Sequence, residues 1–255
     1  MSLSTLQQLA ERARGLEGRG YKAYKSLAGG YRGQGLELWI DHVQGDPFAA
    51  PSRLRALLPD AGLPEWARQT PARCVAAADF LNRALHARFG RASSRRGSGR
   101  GGELSVLEPG QQVLERTSLV VFEDGEVEAR FTLGLPARGR RVMGRAAAEL
   151  LTGDLPRALG CLSAEELDLA ALRRHLETVD DAQALRAQLA PRGLVAFVAE
   201  GALLPRRSGV DERPLGEGAL PFVAPPELRV TLRAPHAGEV TGLGVPAGVT
   251  LIVGG

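Results

Sequence analysis

The tightest constraint on this chain lies at its far end, where Val249-Thr-Leu-Ile-Val253 runs straight into Gly254-Gly255. A short apolar, β-branched run reads as a strand buried on both faces, and Pro246 with Gly248 supplies a turn in front of it. A buried strand that runs into glycines is how a phosphate-binding loop begins. Such a loop next needs a further glycine, a lysine and a Ser or Thr ahead of its helix, so that backbone N–H groups and one cation hold the phosphates. None of these comes after Gly255, so the chain is expected to be a piece that stops where that loop would start. Cut there, the Val249–Val253 strand is expected to be an exposed apolar edge through which chains self-associate. Taken alone, two glycines after a strand are as consistent with an ordinary loop.

With 255 residues there is room for one large or two small domains with ample core. Nothing approaches the ~18 consecutive apolar residues of a membrane helix, and the N-terminus turns polar at Gln7-Gln8 without a signal-peptide pattern. Cys74 and Cys161 are too few and too far apart for a disulfide framework or a metal site. A soluble, cytoplasmic protein without a membrane partner is expected. The net charge of +3 is too small to point to a polyanionic partner, so the distribution of cations matters more than their sum. Lys22 and Lys25 are the only lysines; every other cation is arginine, a bias that a GC-rich genome would produce.

Along the chain, Ser4 or Thr5 caps a first helix whose Leu6, Leu9, Ala10 and Ala13 share one face, with Gly15 near its end. Leu36–His42 alternates apolar and polar residues as a half-buried strand does, and Asp46-Pro47 with Ala50-Pro51 makes a rigid turn. Ser52 reads as a helix cap. Thr70-Pro71 to Gly90 is a helix with Cys74, Ala78, Leu81, Leu85 and Phe89 on one face. Gly90–Gly102 has no apolar core residue and reads as a mobile loop or linker. A hairpin follows, Gln111–Phe122 and Glu126–Leu133 around Asp124-Gly125, then a basic loop from Gly134 to Arg141 and helices near Val142–Leu151 and Leu155–Leu159. Ser163-Ala-Glu-Glu166 reads as a capping box opening a helical region to about Leu189, with a break near Val179. Gly193–Val198 and Ala202–Leu204 read as strands.

The loop Arg95-Arg-Gly-Ser-Gly-Arg-Gly-Gly102 fails as a nucleotide loop, since no buried strand precedes it, it has no lysine, and a strand follows it. Two readings stand: a loop whose glycines let a polyanion approach while Arg91, Arg95, Arg96 and Arg100 supply charge, or a solvated linker. Arg138, Arg140 and Arg141 form a second cationic cluster, and Lys22, Lys25 and Arg32 a third among Tyr21, Tyr24 and Tyr31. Aromatics beside cations stack bases in single-strand binders, although tyrosines in such a stretch are more often packed. Asp41, His42 and Asp46 lie close in sequence but lack a nucleophile or metal spacing, and His86, His175 and His236 are isolated. No catalytic residue and no metal site is expected. Leu204-Pro-Arg-Arg-Ser-Gly209 is either a surface turn or a contact to a nucleotide or neighbouring subunit.

Gly18–Lys25, the run Ile40-Asp-His-Val-Gln-Gly-Asp-Pro-Phe-Ala-Ala-Pro-Ser-Arg53, Gly97–Gly102, Val113–Arg116, Gly134–Arg140, Gly193–Val198, Leu204–Gly209 and the segment from Leu228 onward together give the chain a closer likeness. It resembles the N-terminal part of the predicted ATPases of the ABC class, from near residue 18 to the end. The family pattern at the glycine loop is nearer Gly-Ser-Gly-Lys, and Arg100 stands there instead. The resemblance implies a mixed α+β N-terminal domain over about 1–162, followed at 163–255 by the truncated beginning of a P-loop ATPase domain, an α/β chain overall. It implies ATP and Mg²⁺ for the complete protein, with Gly254 and Gly255 as the first amides of the phosphate cradle, and the remainder of the ATPase domain as a partner. It implies work on RNA or DNA, and a homodimer is among the expected assemblies. The rival reading is a non-catalytic nucleic-acid-binding or assembly module. Without a P-loop lysine, this chain alone is not expected to hydrolyse ATP.

Overall fold

Thr5 shows how closely the local code is followed. In the computed structural model, which describes residues 3–251, Thr5 closes β1 (Ser4–Thr5) and opens α1 (Leu6–Arg14). Its Oγ1 accepts from the Gln8 N–H at 3.1 Å while its own N–H donates to Gln8 Oε1 at 2.8 Å, a reciprocal box that satisfies two otherwise orphaned amides. Leu6, Leu9, Ala10 and Ala13 are buried, the face the spacing predicts.

The chain is mixed α/β and divides into two compact units: Met1–Pro109 with Val113–Arg173, and Gly110–Gln112 with Arg174–Gly255. The first is built on a sheet. β2 (Gly29–Gly33) and β3 (Leu36–His42) form a hairpin whose Gln34 and Gly35 both take positive φ, the geometry that matches strand twist. β4 (Ser52–Leu58) joins β3. α2 (Pro71–Ala92) follows, capped by Thr70 Oγ1 on the Arg73 N–H, and it runs two residues past Gly90. Next come β5 (Leu104–Ser105), β6 (Leu119–Val121) and β7 (Val127–Leu133). The order is β1-β2-β3-β4-β7-β5, and β6 also pairs with β7. Alternation buries Leu38, Ile40, Leu54, Ala56, Ala129, Phe131 and Leu133 on one face. α2 lies on that face, with Phe89 edge-on to Phe131 at 5.3 Å. A small hairpin, β8 (Ala137–Arg138) and β9 (Arg141–Val142), leads to α3 (Gly144–Glu149), a π-helical turn at Leu150–Asp154 and α4 (Leu155–Leu159).

α5 (Leu169–Ala187) carries the chain from the first unit into the second without a break at Val179. There β10 (Leu194–Ala199), β13 (Arg229–Ala234) and β14 (Gly238–Pro246) form an antiparallel sheet in the order β10-β14-β13. β11 (Arg206–Ser208) and β12 (Asp211–Pro214) make a separate exposed hairpin within Leu204–Gly209 and beyond. Gln188 ties the helical segment to β13, accepting from the Arg233 N–H and donating to its carbonyl. Among the described residues, no helix is long and apolar enough to cross a membrane.

Several local expectations give way to tertiary demands. Ser52 caps no helix: it is buried at the start of β4, and its Oγ accepts from the Gln44 N–H at 3.0 Å. Gln111–Ser118 is not strand, because Arg116 turns away to donate to the buried carboxylate of Asp79 at 2.8 Å. Ser163–Glu166 is a turn and not a capping box. Glu166 is drawn to Arg88 at 2.7 Å, and Asp168 caps α5 through the Ala171 N–H instead. Ala202–Leu204 has no strand partner. Val249 to Leu251 is also outside any strand, and Val249 and Leu251 are exposed, since a β-rich run forms a strand only where another strand takes its backbone groups. The rest of that run, with Gly254 and Gly255, lies outside the described residues.

Candidate nucleic-acid interface

The hairpin β8–β9 is too short to stand alone, and two other segments hold it. Its turn is Gly139-Arg140, with Gly139 at φ +59°. On the β9 side, Gly20 bridges Arg141, the Tyr21 N–H donates to the Arg140 carbonyl at 2.9 Å, and the Val142 N–H donates to that of Arg19 at 2.8 Å. On the β8 side, Gly97 bridges Ala137, the Ser98 N–H donates to the Ala137 carbonyl at 2.7 Å, and Ser98 Oγ accepts from the Gly139 N–H at 2.8 Å. The three cationic stretches are therefore woven into one junction.

Beneath it, the tyrosines are pillars. Tyr21 Oη donates to the Leu135 carbonyl at 3.1 Å and Tyr24 Oη to that of Pro136 at 2.6 Å; their rings meet edge-on at 5.2 Å. Tyr31 donates to the Leu27 carbonyl at 2.9 Å. All three are buried, and burial pushes the Tyr21 and Tyr24 phenols well above their ordinary value, so both remain donors. They have no ring face left for a base to stack on.

The glycine loop is packed rather than loose. A Cβ on Gly97, Gly99 or Gly102 would fall well inside van der Waals contact with the carbonyl oxygens of Ala137, Pro47 or Ser94. Arg96 is half-buried and reaches across to Asp154 in the π-helical turn, with Glu149 at 3.8 Å. It acts as a latch on the loop and is not free for a ligand. Gln44, within the long family-like run, supports the same junction: its Oε1 accepts from the Leu135 N–H and its Nε2 donates to the Asp46 carbonyl.

The remaining cations differ in freedom. Lys22, Lys25, Arg91, Arg95 and Arg138 are exposed and, among the described residues, have no ion-pair partner. Arg100 is 3.9 Å from Glu103, Arg140 is 3.3 Å from Asp46, and Arg141 donates to the Gly18 carbonyl at 3.0 Å. A cavity of about 470 Å³ opens beside Ser94, Arg95, Gly99, Arg100 and Glu103. Arg19 is exposed at the same junction. Asp154, Gln44 and Ser98 were illegible as site residues, since their roles rest on contacts across the chain.

Elsewhere the described residues offer no grouping of His, Cys, Asp and Glu that would hold a metal ion. Asp41 is occupied by Arg55, in a bidentate pair at 2.8 and 3.1 Å that holds the Arg55 guanidinium above its ordinary pKa.

Residues 6–162 match the family model of the N-terminal domain of ATPases of the ABC class, and residues 168–255 match that of an ABC ATPase P-loop domain. No curated protein matches the chain.

Proposed function

The chain belongs to the ATPases of the ABC class, and we propose that its N-terminal unit is the part that grips RNA or DNA in a protein that binds and hydrolyses ATP with Mg²⁺. The observation that supports the grip is the junction at β8–β9. Three basic stretches far apart in sequence hold one another through backbone hydrogen bonds, and Lys22, Lys25, Arg95 and Arg138 are left exposed around it. With the tyrosines buried, the contacts are to phosphates, so the binding has little base preference.

Phosphate contacts release counterions, so affinity for a single strand falls by about 0.7 log units per contact for each log unit of salt. Fluorescence anisotropy with labelled single-stranded RNA and DNA reads this directly. Replacing Lys22, Lys25, Arg95 and Arg138 with Ala is expected to lower the salt slope by roughly 3. An unchanged slope, or no binding at low salt, overturns the reading and leaves the assembly-module alternative.

ATP and Mg²⁺ follow from the family and not from the described residues. Residues 168–255 contain no lysine, among the described residues no acidic cluster suits a metal, and Gly254 and Gly255 lie outside the described residues. These residues by themselves do not make a site for ATP and its metal. P-loop hydrolysis relies on a lysine at the β- and γ-phosphates, and arginine is a poor substitute for that compact charge. The purified 255-residue chain is expected to release no phosphate from ATP. Turnover that persists through further purification would show the active site to lie elsewhere in the chain.

A further inference from the structure

We propose that a break in the outer edge of the first unit's sheet is a binding site for a nucleoside monophosphate unit. The open edge of β7 is shared between two short strands: β6 covers Val127–Ala129 and β5 covers Thr132–Leu133. Between them the Arg130 N–H donates to the Ser118 carbonyl at 2.8 Å, and the intervening chain from Val106 to Ser118 leaves the sheet as irregular backbone. The two edge strands part, and an open cleft of about 1040 Å³ remains, at the upper end of the range for small-molecule sites.

The cleft carries the three kinds of group a nucleotide asks for. Arg53 and Arg130 line it and supply charge for a phosphate. Arg130 already shares Glu128 at 2.5 Å, whereas Arg53 is exposed and, among the described residues, has no acidic partner. Leu107, exposed at the rim, gives an apolar contact for a base. Ser118 and His86 offer hydrogen bonds, and Glu108, at the exposed rim, can accept from a ribose hydroxyl or an exocyclic amine. Among the described residues, the buried Ser118 Oγ has no hydrogen-bond partner, which leaves it able to donate to or accept from a ligand. Inorganic phosphate alone would leave the apolar lining unused and face Glu108, and a nucleoside alone would leave Arg53 unused. None of the lining comes from the basic hairpin, so the site stands independently of the grip proposed above.

Two sources share this chemistry: a free mononucleotide, and the 5′-terminal nucleotide of a strand. Isothermal titration calorimetry of the 255-residue chain with adenosine monophosphate, adenosine, inorganic phosphate, and a short oligonucleotide with or without a 5′-phosphate separates them. Adenosine monophosphate is expected to bind at least tenfold more tightly than adenosine or phosphate. Arg53→Ala should weaken it at least tenfold with an unchanged melting temperature, and Ser118→Ala should weaken it severalfold. Arg53-dependent binding of the 5′-phosphorylated oligonucleotide that exceeds the mononucleotide's identifies the strand end as the ligand; weaker binding identifies the free nucleotide. No heat at millimolar mononucleotide, or affinity retained in Arg53→Ala, overturns the site. So does affinity that falls instead in Lys22→Ala/Lys25→Ala, which would move the binding to the hairpin junction.

Discussion

Gly97, Gly99, Gly101 and Gly102 lie in a loop where the chain crosses itself, and Gly134 meets Arg100 in the same crossing; a methyl group at any of them would drive into a backbone carbonyl. Gly201, Gly209, Gly216 and Gly218 punctuate a second polar stretch, yet nothing lies within 4 Å of where their side chains would begin. Both regions have the composition of a linker. In the first, glycine is needed because only hydrogen fits between two backbones, and the result is a fixed platform that presents Arg95 and Arg100. In the second it relaxes the backbone of exposed connections that pack against little. Exposed Val210, Leu220 and Val223 accompany it, whereas the first region is bordered by the buried Leu135 and Ala137. What separates the two is the closeness of the neighbouring backbone, a quantity that glycine content does not carry.

The largest effect expected from this contrast is steric. Gly134→Ala or Gly97→Ala should destabilise the first unit by about 3 kcal/mol, the upper range for forcing an extra carbon into packed structure, and lower its melting temperature by roughly 6–12 °C. Gly209→Ala, with open space around it, should stay within about 0.5 kcal/mol. Differential scanning calorimetry of the three variants checks this, and equal shifts would erase the distinction between the regions.

A smaller effect separates neighbours inside the packed loop. Arg96→Ala removes the latch; Asp154 keeps Arg157 at 2.6 Å but Glu149 loses its cation, a loss of roughly 1–2 kcal/mol, between that of an exposed and a fully buried pair. Arg95→Ala should leave stability unchanged and reduce only the salt slope of the proposed nucleic-acid binding. The same thermal and anisotropy measurements sharpen the comparison, and a stability loss at Arg95 would count against the division of roles.

The pH responses should also differ between regions. Cys161, buried in the first unit, has its thiol pushed from 9.0 up to about 11 by that burial. A raised acid stabilises fully below its unfolded pKa, so this contribution is present below pH 9.0 and lost as pH rises toward 11. Iodoacetamide should accordingly react slowly with Cys161 at pH 8 unless the chain is denatured. In the exposed hairpin β11–β12, hydrogen bonds from Arg213 hold the Asp211 carboxyl down, from 3.8 to about 2. That contribution is present above pH 3.8 and is lost as pH falls through 2. Its effect should be confined to the hairpin and visible as local carboxyl and amide shifts in NMR titration. Cooperative unfolding of the first unit in the same acid window would contradict it.

Residue order alone was enough for features whose physics acts within a few positions. The Thr5 and Thr70 caps, the alternation of β3, the apolar face of α2 and the turn at Asp124-Gly125 all stand where the sequence places them. The mixed α/β class and the family were legible as well, the class from these elements and the family from the longer runs around them. Tertiary structure decided everything that needs a distant partner. Ser52 is a strand residue paired with Leu133, its hydroxyl accepting from the Gln44 N–H; Ser163–Glu166 has no box, with Glu166 drawn to Arg88; and Val249–Leu251 is not a strand because, among the described residues, no other strand pairs with it. The same reason governs the candidate interface. The stretches that carry Lys22 and Lys25, Arg95 and Arg138 meet only through the backbone hydrogen bonds the β8–β9 hairpin makes on both sides. Whether a glycine-rich loop is a linker or a packed crossing depends on which backbone arrives against it. Local propensity carries no information about that arrival.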